Sequence, residues 1–116
     1  MNKYTELSDF EINKKVAEYL KLNTIAYERT EIVLFDDVDA TPFDPCNNPT
    51  DAMPIIIENN ISLHAPRLKE GWMAEYTSSG DDVNDGFQAS YFDSHNKNPL
   101  RAAMEVFLMI KDAENE

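Results

Sequence analysis

Basic residues are scarce in this chain: ten Lys and Arg stand against 22 Asp and Glu, a formal net charge of −12. A field of that sign repels phosphate backbones and anionic lipid head groups, which argues against direct binding of nucleic acid or membrane. Cysteine is nearly absent. Cys46 stands alone, so no intramolecular disulfide can form, and a reducing compartment, the cytoplasm, is the expected home. The residue reads as a small buried apolar group rather than a nucleophile. Glycine occurs three times, which leaves neither a dinucleotide fingerprint nor a Walker-type loop to cradle phosphate. No apolar run approaches the length of a membrane span, and Met1-Asn2-Lys3-Tyr4-Thr5-Glu6 lacks the apolar stretch of a signal peptide. The two imidazoles, His64 and His95, each lack a soft ligand three or four residues away, so no zinc motif is formed, and both read as exposed loop residues.

What is present is globular: 42 % hydrophobic and 28 % charged residues place 1–116 among chains that fold as one domain rather than among acidic disordered tails. The charge is unevenly placed. Between Arg29 and Arg67 there is no base, yet Glu31, Asp36, Asp37, Asp39, Asp44, Asp51 and Glu58 fall there. A second base-free stretch, from Glu70 to Asn96, holds Glu75, Asp81, Asp82, Asp85 and Asp93. The bases sit at the two ends of the chain and in one loop with Arg67 and Lys69.

A first helix is predicted from Ser8, which caps the backbone while Glu11 reaches back in a capping box. Ile12, Val16 and Leu20, with Tyr19, make its apolar stripe, and it ends near Lys21 to Asn23. Glu31-Ile32-Val33-Leu34-Phe35 reads as a strand, and Asp36 to Pro49 as a long acidic loop. From Asp51 to Asn60 a short helix is expected, capped at Thr50 or Asp51 so that Pro54 falls in its first turn. Ile55-Ile56-Ile57 also fits a buried strand. Ile61-Ser62-Leu63 is a short strand; Gly71 to Thr77 and Phe87 to Phe92 form an antiparallel hairpin with an acidic tip. Asn98 caps and Pro99 opens a final helix to Ala113 that is apolar over most of its circumference, which suits a sheet or a dimer seam. The expected fold is α+β: a small antiparallel sheet of three to four strands packed by an N-terminal helix, a short middle helix and an apolar C-terminal helix.

No catalytic group, metal site or cofactor is expected. With Gly86 as the turn glycine of a calcium loop, Val83 and Phe92 would occupy ligand positions, so the Asp-rich loops fail that spacing. Asp93 and Ser94 beside His95 mimic fragments of a triad, but sequence neighbours are rarely functional partners. One anion site is conceivable at the start of the final helix, where Arg101 joins the positive end of the macrodipole and Arg67 and Lys69 converge if the fold allows. Trp72, with Ala74 and Tyr76, shares one face of the hairpin; such rings are core by default and stack on a ligand only at an open edge.

The segments Asp44-Pro45-Cys46-Asn47-Asn48-Pro49-Thr50-Asp51-Ala52-Met53-Pro54-Ile55-Ile56-Ile57-Glu58-Asn59 and Asn98-Pro99-Leu100-Arg101-Ala102-Ala103-Met104-Glu105-Val106-Phe107-Leu108-Met109 resemble the signatures of the NinX-like phage proteins. Leu7 to Ala17 is similar to their start. Met53 stands where that family is expected to have Trp, a departure that touches packing more than chemistry. More distantly, the order helix, Pro-containing helix, hairpin, final helix is similar to a small phage domain described as an α-β-α sandwich, although Arg101 here follows Leu100 directly. The resemblance implies an accessory protein of unknown function made in the cytoplasm of an infected host, with no catalytic residues to carry over.

Two binding functions are therefore expected ahead of catalysis. The first is engagement of a basic host or phage protein through the acidic surface of Asp36, Asp37, Asp39, Asp44, Asp81, Asp82 and Asp85. The second is sequestration of a small nucleotide signal in counter-defence, through Arg67, Lys69, Trp72 and Arg101. A homodimer is compatible with either.

Overall fold

The computed structural model describes residues 3–66, 71–77 and 91–114. Within them the chain forms three helices and two small antiparallel sheets, an α+β architecture. Helix α1 spans Asp9–Tyr19, and its capping box is present: the Ser8 hydroxyl accepts from Glu11 N–H at 3.1 Å while Glu11 Oε1 accepts from Ser8 N–H at 3.0 Å. Ile12 and Val16 are buried on the expected stripe. The helix closes with Lys21 in the left-handed region (φ 58), where Leu22 N–H reaches Ala17 O and Lys21 N–H reaches Glu18 O.

A ribbon follows. Strands β1 (Thr24–Tyr27) and β2 (Ile32–Phe35) pair antiparallel with Ile25 opposite Leu34 and Tyr27 opposite Ile32. Only β2 is announced by the sequence; four residues of β1 are too few for alternation to register. The far edge of β2 is covered by the acidic loop, where Phe35 N–H bonds Thr41 O at 2.9 Å and Phe43 N–H bonds Val33 O at 2.8 Å.

Helix α2 (Pro49–Glu58) is capped by Asn48, whose side chain accepts from Thr50 N–H, and so begins before the predicted cap. Pro54 consequently lies in the helix interior, not its first turn. Pro54 has no N–H to offer the Thr50 carbonyl one turn back, and Thr50 is an exposed residue, which limits the penalty. The isoleucine run is helical: Ile55 and Ile56 are buried and Ile57 is exposed, because three consecutive helical positions cannot share one face.

Strands β3 (Ser62–His64), β4 (Trp72–Thr77) and β5 (Tyr91–Asn96) form the second sheet in the order β3-β4-β5, all antiparallel. Of the strand read over 87–92 only Tyr91 and Phe92 are described, and from them β5 runs on through polar residues to Asn96; 78–90 lie outside the described residues. Pairing with β4 overrides the weak propensity of Asp93-Ser94-His95-Asn96. Leu63, Ala74 and Ser94 share one row of the inner face, and the Tyr76 and Phe92 rings stack 6.4 Å apart on it. Gly71 has φ +87, and a Cβ there would come within 2.9 Å of Asn96 O.

Helix α3 (Pro99–Glu114) lies on that inner face and also packs α1 and α2. Met104, Val106, Phe107 and Leu108 are fully buried, each contributing on the order of 2 kcal/mol. Its wide apolar circumference is covered by the chain itself, so a dimer seam is not needed to explain it.

Candidate functional site

The three segments that carry the family resemblance meet at one buried polar network. Arg101, on the first turn of α3, is turned inward and buried. Its Nε donates to Glu105 Oε2 at 2.6 Å, Nη1 to Asp9 Oδ1 at 2.7 Å, and Nη2 to the carbonyls of Tyr4 and Leu7 at 2.8 and 2.7 Å. Glu105 is fully buried and also accepts from the Ser94 hydroxyl. Asn98 caps α3 by accepting from Leu100 N–H at 2.9 Å and donates to Cys46 O at 2.7 Å. Asn13, buried on α1, donates to Asp44 at 2.7 Å and accepts from Cys46 N–H at 3.1 Å. Asp44 N–H in turn donates to Asp51 at 2.9 Å. Helices α1, α2 and α3 and the acidic loop are tied by side chains whose partners are remote in sequence.

This placement sorts the candidate residues. Arg101 directs four N–H groups at protein acceptors, and Asn98 occupies the backbone donors at the helix start, so the elements of an anion site are engaged internally. Arg67 and Lys69 lie outside the described residues, as do Asp81, Asp82 and Asp85. Trp72 is half-buried on β4, opposite Asn96. Asp44 is half-buried and accepts from Asn13 and Asn47. Asp36, Asp37 and Asp39 are exposed in the loop after β2, Asp37 Oδ1 accepting from Ala40 N–H at 2.8 Å. Among the described residues no base pairs with these three.

The histidines are exposed but belong to strands rather than loops. His64 Nε2 lies 2.5 Å from Glu75 Oε2, and Tyr91 donates to the other Glu75 oxygen at 3.0 Å. His95 shares the outer face of the sheet with them, and strand alternation sends Ser94 to the opposite face, which dissolves the apparent Ser94-His95 pair. Among the described residues no group of three His, Cys, Asp or Glu is placed to hold a metal. Burial pushes the Cys46 thiol well above its ordinary range, with Asp9 adding to the effect, so it is a poor nucleophile.

Two concavities flank the network. One of about 250 Å³ runs between α1 and the acidic loop, lined by Asp9, Asn13, Glu31, Val33, Phe43 and Asp44 among others. The other, about 450 Å³, is lined by Lys3, Tyr4, Leu7, Lys15, Tyr19 and Asp112. Tyr4 and Tyr19 both donate to the Asp112 carboxylate, and Lys3 lies 3.3 Å away. Burial raises the Asp112 pKa, but the two hydroxyls and Lys3 outweigh it and the net shift is downward. A depressed folded-state pKa means stability present above the ordinary carboxylate pKa and lost as pH falls through the folded value. Asp112→Asn is therefore expected to lower stability by about 1 kcal/mol at neutral pH, the difference from wild type vanishing in acid. Urea denaturation from pH 7 down to pH 2.5 measures it; a difference independent of pH would remove the charge from the explanation.

Sequence reasoning missed Glu105, although an Arg and Glu four apart on an otherwise apolar helix was a visible signal of a buried pair. It also missed the exposed face of the ribbon. Ile25 and Tyr27 alternate with Thr24 and Ala26, a pattern that identifies a face only once β2 is set opposite.

A family model described as Bacteriophage P22, NinX matches residues 3–111. No curated protein and no solved structure matches the chain.

Proposed function

Starting from a chain that belongs to the bacteriophage P22 NinX family, we propose that it is a non-enzymatic phage accessory protein that binds a basic protein of host or phage through its acidic surface. Support comes from the outward placement of Asp36, Asp37 and Asp39, exposed and without a basic partner among the described residues, while Asp44 and Asp51 of the same base-free stretch are engaged internally. Carboxylates left open on one loop steer a cationic partner and set its orientation. The non-enzymatic part of the reading is supported by the inert Cys46 and by strand alternation, which sets Ser94 and His95 on opposite faces of the sheet.

The test compares wild type with Asp36→Asn/Asp37→Asn/Asp39→Asn as bait for proteins of the infected host. Wild type is expected to capture a basic protein whose retention falls steeply with salt, and the triple variant to retain it about tenfold less. Equal retention with an unchanged salt dependence would overturn the reading.

A further inference from the structure

Antiparallel pairing places Ile25, Leu34, Tyr27 and Ile32 on one face of the β1–β2 ribbon, while Ala26, Val33 and Phe35 turn toward the core. That outer face is open: Ile25 is 40 %, Tyr27 45 % and Ile32 42 % exposed, and Val38, in the loop that follows, is fully exposed. Strands of this kind normally alternate apolar inside with polar outside. Here both faces are apolar. The outer edge of β1 pairs with no strand among the described residues, whereas the far edge of β2 is covered by Thr41 to Phe43. The rim is acidic: between Thr24 and Ala40 stand Glu28, Glu31, Asp36, Asp37 and Asp39 against the single base Arg29. Lys14 lies 2.8 Å from Glu28 but is the only other base paired into this region among the described residues.

We propose that the outer face of the β1–β2 ribbon is the docking surface for an extended segment of a basic partner protein, its apolar side chains packing on Ile25, Tyr27 and Ile32 and its Lys or Arg side chains meeting the acidic rim. This rests on the function proposed above and adds where the partner sits and what it must look like. An apolar patch framed by charge is the form of a protein interface. The rim decides the occupant. A second copy would set five acids and one base against the same five and one, so like charges would face each other across the contact. An anionic membrane or a phosphate backbone meets the same repulsion. A cationic, alternating segment satisfies both the apolar face and the rim, and the open edge of β1 offers it backbone hydrogen bonds.

The test uses the full chain and a synthetic nine-residue peptide of alternating Val and Lys, with a Val→Ser analogue and a Lys→Glu analogue. Backbone NMR shifts on titration are expected at 24–39, with at least tenfold weaker binding of each analogue. Ile25→Thr/Tyr27→Thr/Ile32→Thr, which keeps strand propensity, should weaken the Val-Lys peptide at least tenfold at an unchanged melting temperature. Shifts centred elsewhere, or binding indifferent to Val→Ser, would overturn the docking surface. Loss on the three Asp→Asn changes without loss on the three Thr changes would overturn this surface while leaving an acidic binding function standing. Binding indifferent to all six changes and to salt would overturn both. Light scattering that shows a dimer dissolved by the Thr changes would assign the face to a second copy and overturn the proposal. Should the Thr variant unfold, the shift map on wild type decides alone.

Discussion

Arg101→Met is expected to destabilise the fold by about 3–5 kcal/mol, the range for removing one partner of a buried ion pair. The side chain of Arg101 is 7 % exposed and that of Glu105 is fully buried, so the substitution takes from a buried carboxylate its guanidinium partner at 2.6 Å. It also frees the carbonyls of Tyr4 and Leu7, which hold the N-terminal turn against α3. A domain of this size should then melt on the order of 10–20 °C lower. Arg101→Lys should fall between the two, because an ammonium group lacks the planar fork that reaches acceptors on three sides. Arg101→Met combined with Glu105→Leu should recover more than half of the loss, since no charge is then left buried. Thermal and urea unfolding of the four proteins makes the comparison. An Arg101→Met protein as stable as wild type would show the guanidinium to be free of structural duty and return it to the residues available for an anionic ligand.

The contrast between Arg101 as read and Arg101 as found shows what a sequence can carry. Features confined to one turn were legible: the Ser8 and Glu11 capping box, and Asn98 with Pro99 at the start of α3, follow from hydrogen bonds between residues two or three apart. The shared face of Trp72, Ala74 and Tyr76 was legible because strand alternation is local. Arg101 was placed correctly on the first turn of α3, but the direction of its side chain is set by Asp9, Tyr4 and Leu7, more than ninety positions away. The same holds for the acidic loop. Composition identifies it, yet nothing in composition separates Asp44, held by Asn13, from Asp37, which closes its own turn and stays exposed. β1 was illegible because it acquires its meaning from the strand that pairs with it.

Asn98 carries the second large expectation, because it has two duties and only one is visible in the sequence. As the cap of α3 its Oδ1 accepts from Leu100 N–H, a role that Asp or Ser fills as well. Its amide Nδ2 donates to the Cys46 carbonyl at 2.7 Å and to Asn47 Oδ1 at 3.2 Å, joining the acidic loop to the helix across 52 residues. Asn98→Ala removes the cap, at about 1 kcal/mol, and leaves the carbonyl of a fully buried residue without its donor, at about 1–3 kcal/mol more. Asn98→Asp separates the two duties. The carboxylate keeps the cap and interacts favourably with the helix dipole, yet it turns an oxygen toward the Cys46 carbonyl and adds a charge beside Asn47, whose amide already serves Asp9 and Asp44. If capping were the whole function, Asn98→Asp would be neutral or stabilising; with the cross-link included it should lose about 2 kcal/mol or more. Urea denaturation of Asn98→Ala, Asn98→Ser and Asn98→Asp at pH 7 distinguishes these outcomes. Native-state hydrogen exchange then locates the damage: faster exchange at Cys46 to Asn48 in Asn98→Asp, with α3 still protected, is the pattern expected of a broken strut rather than a frayed helix.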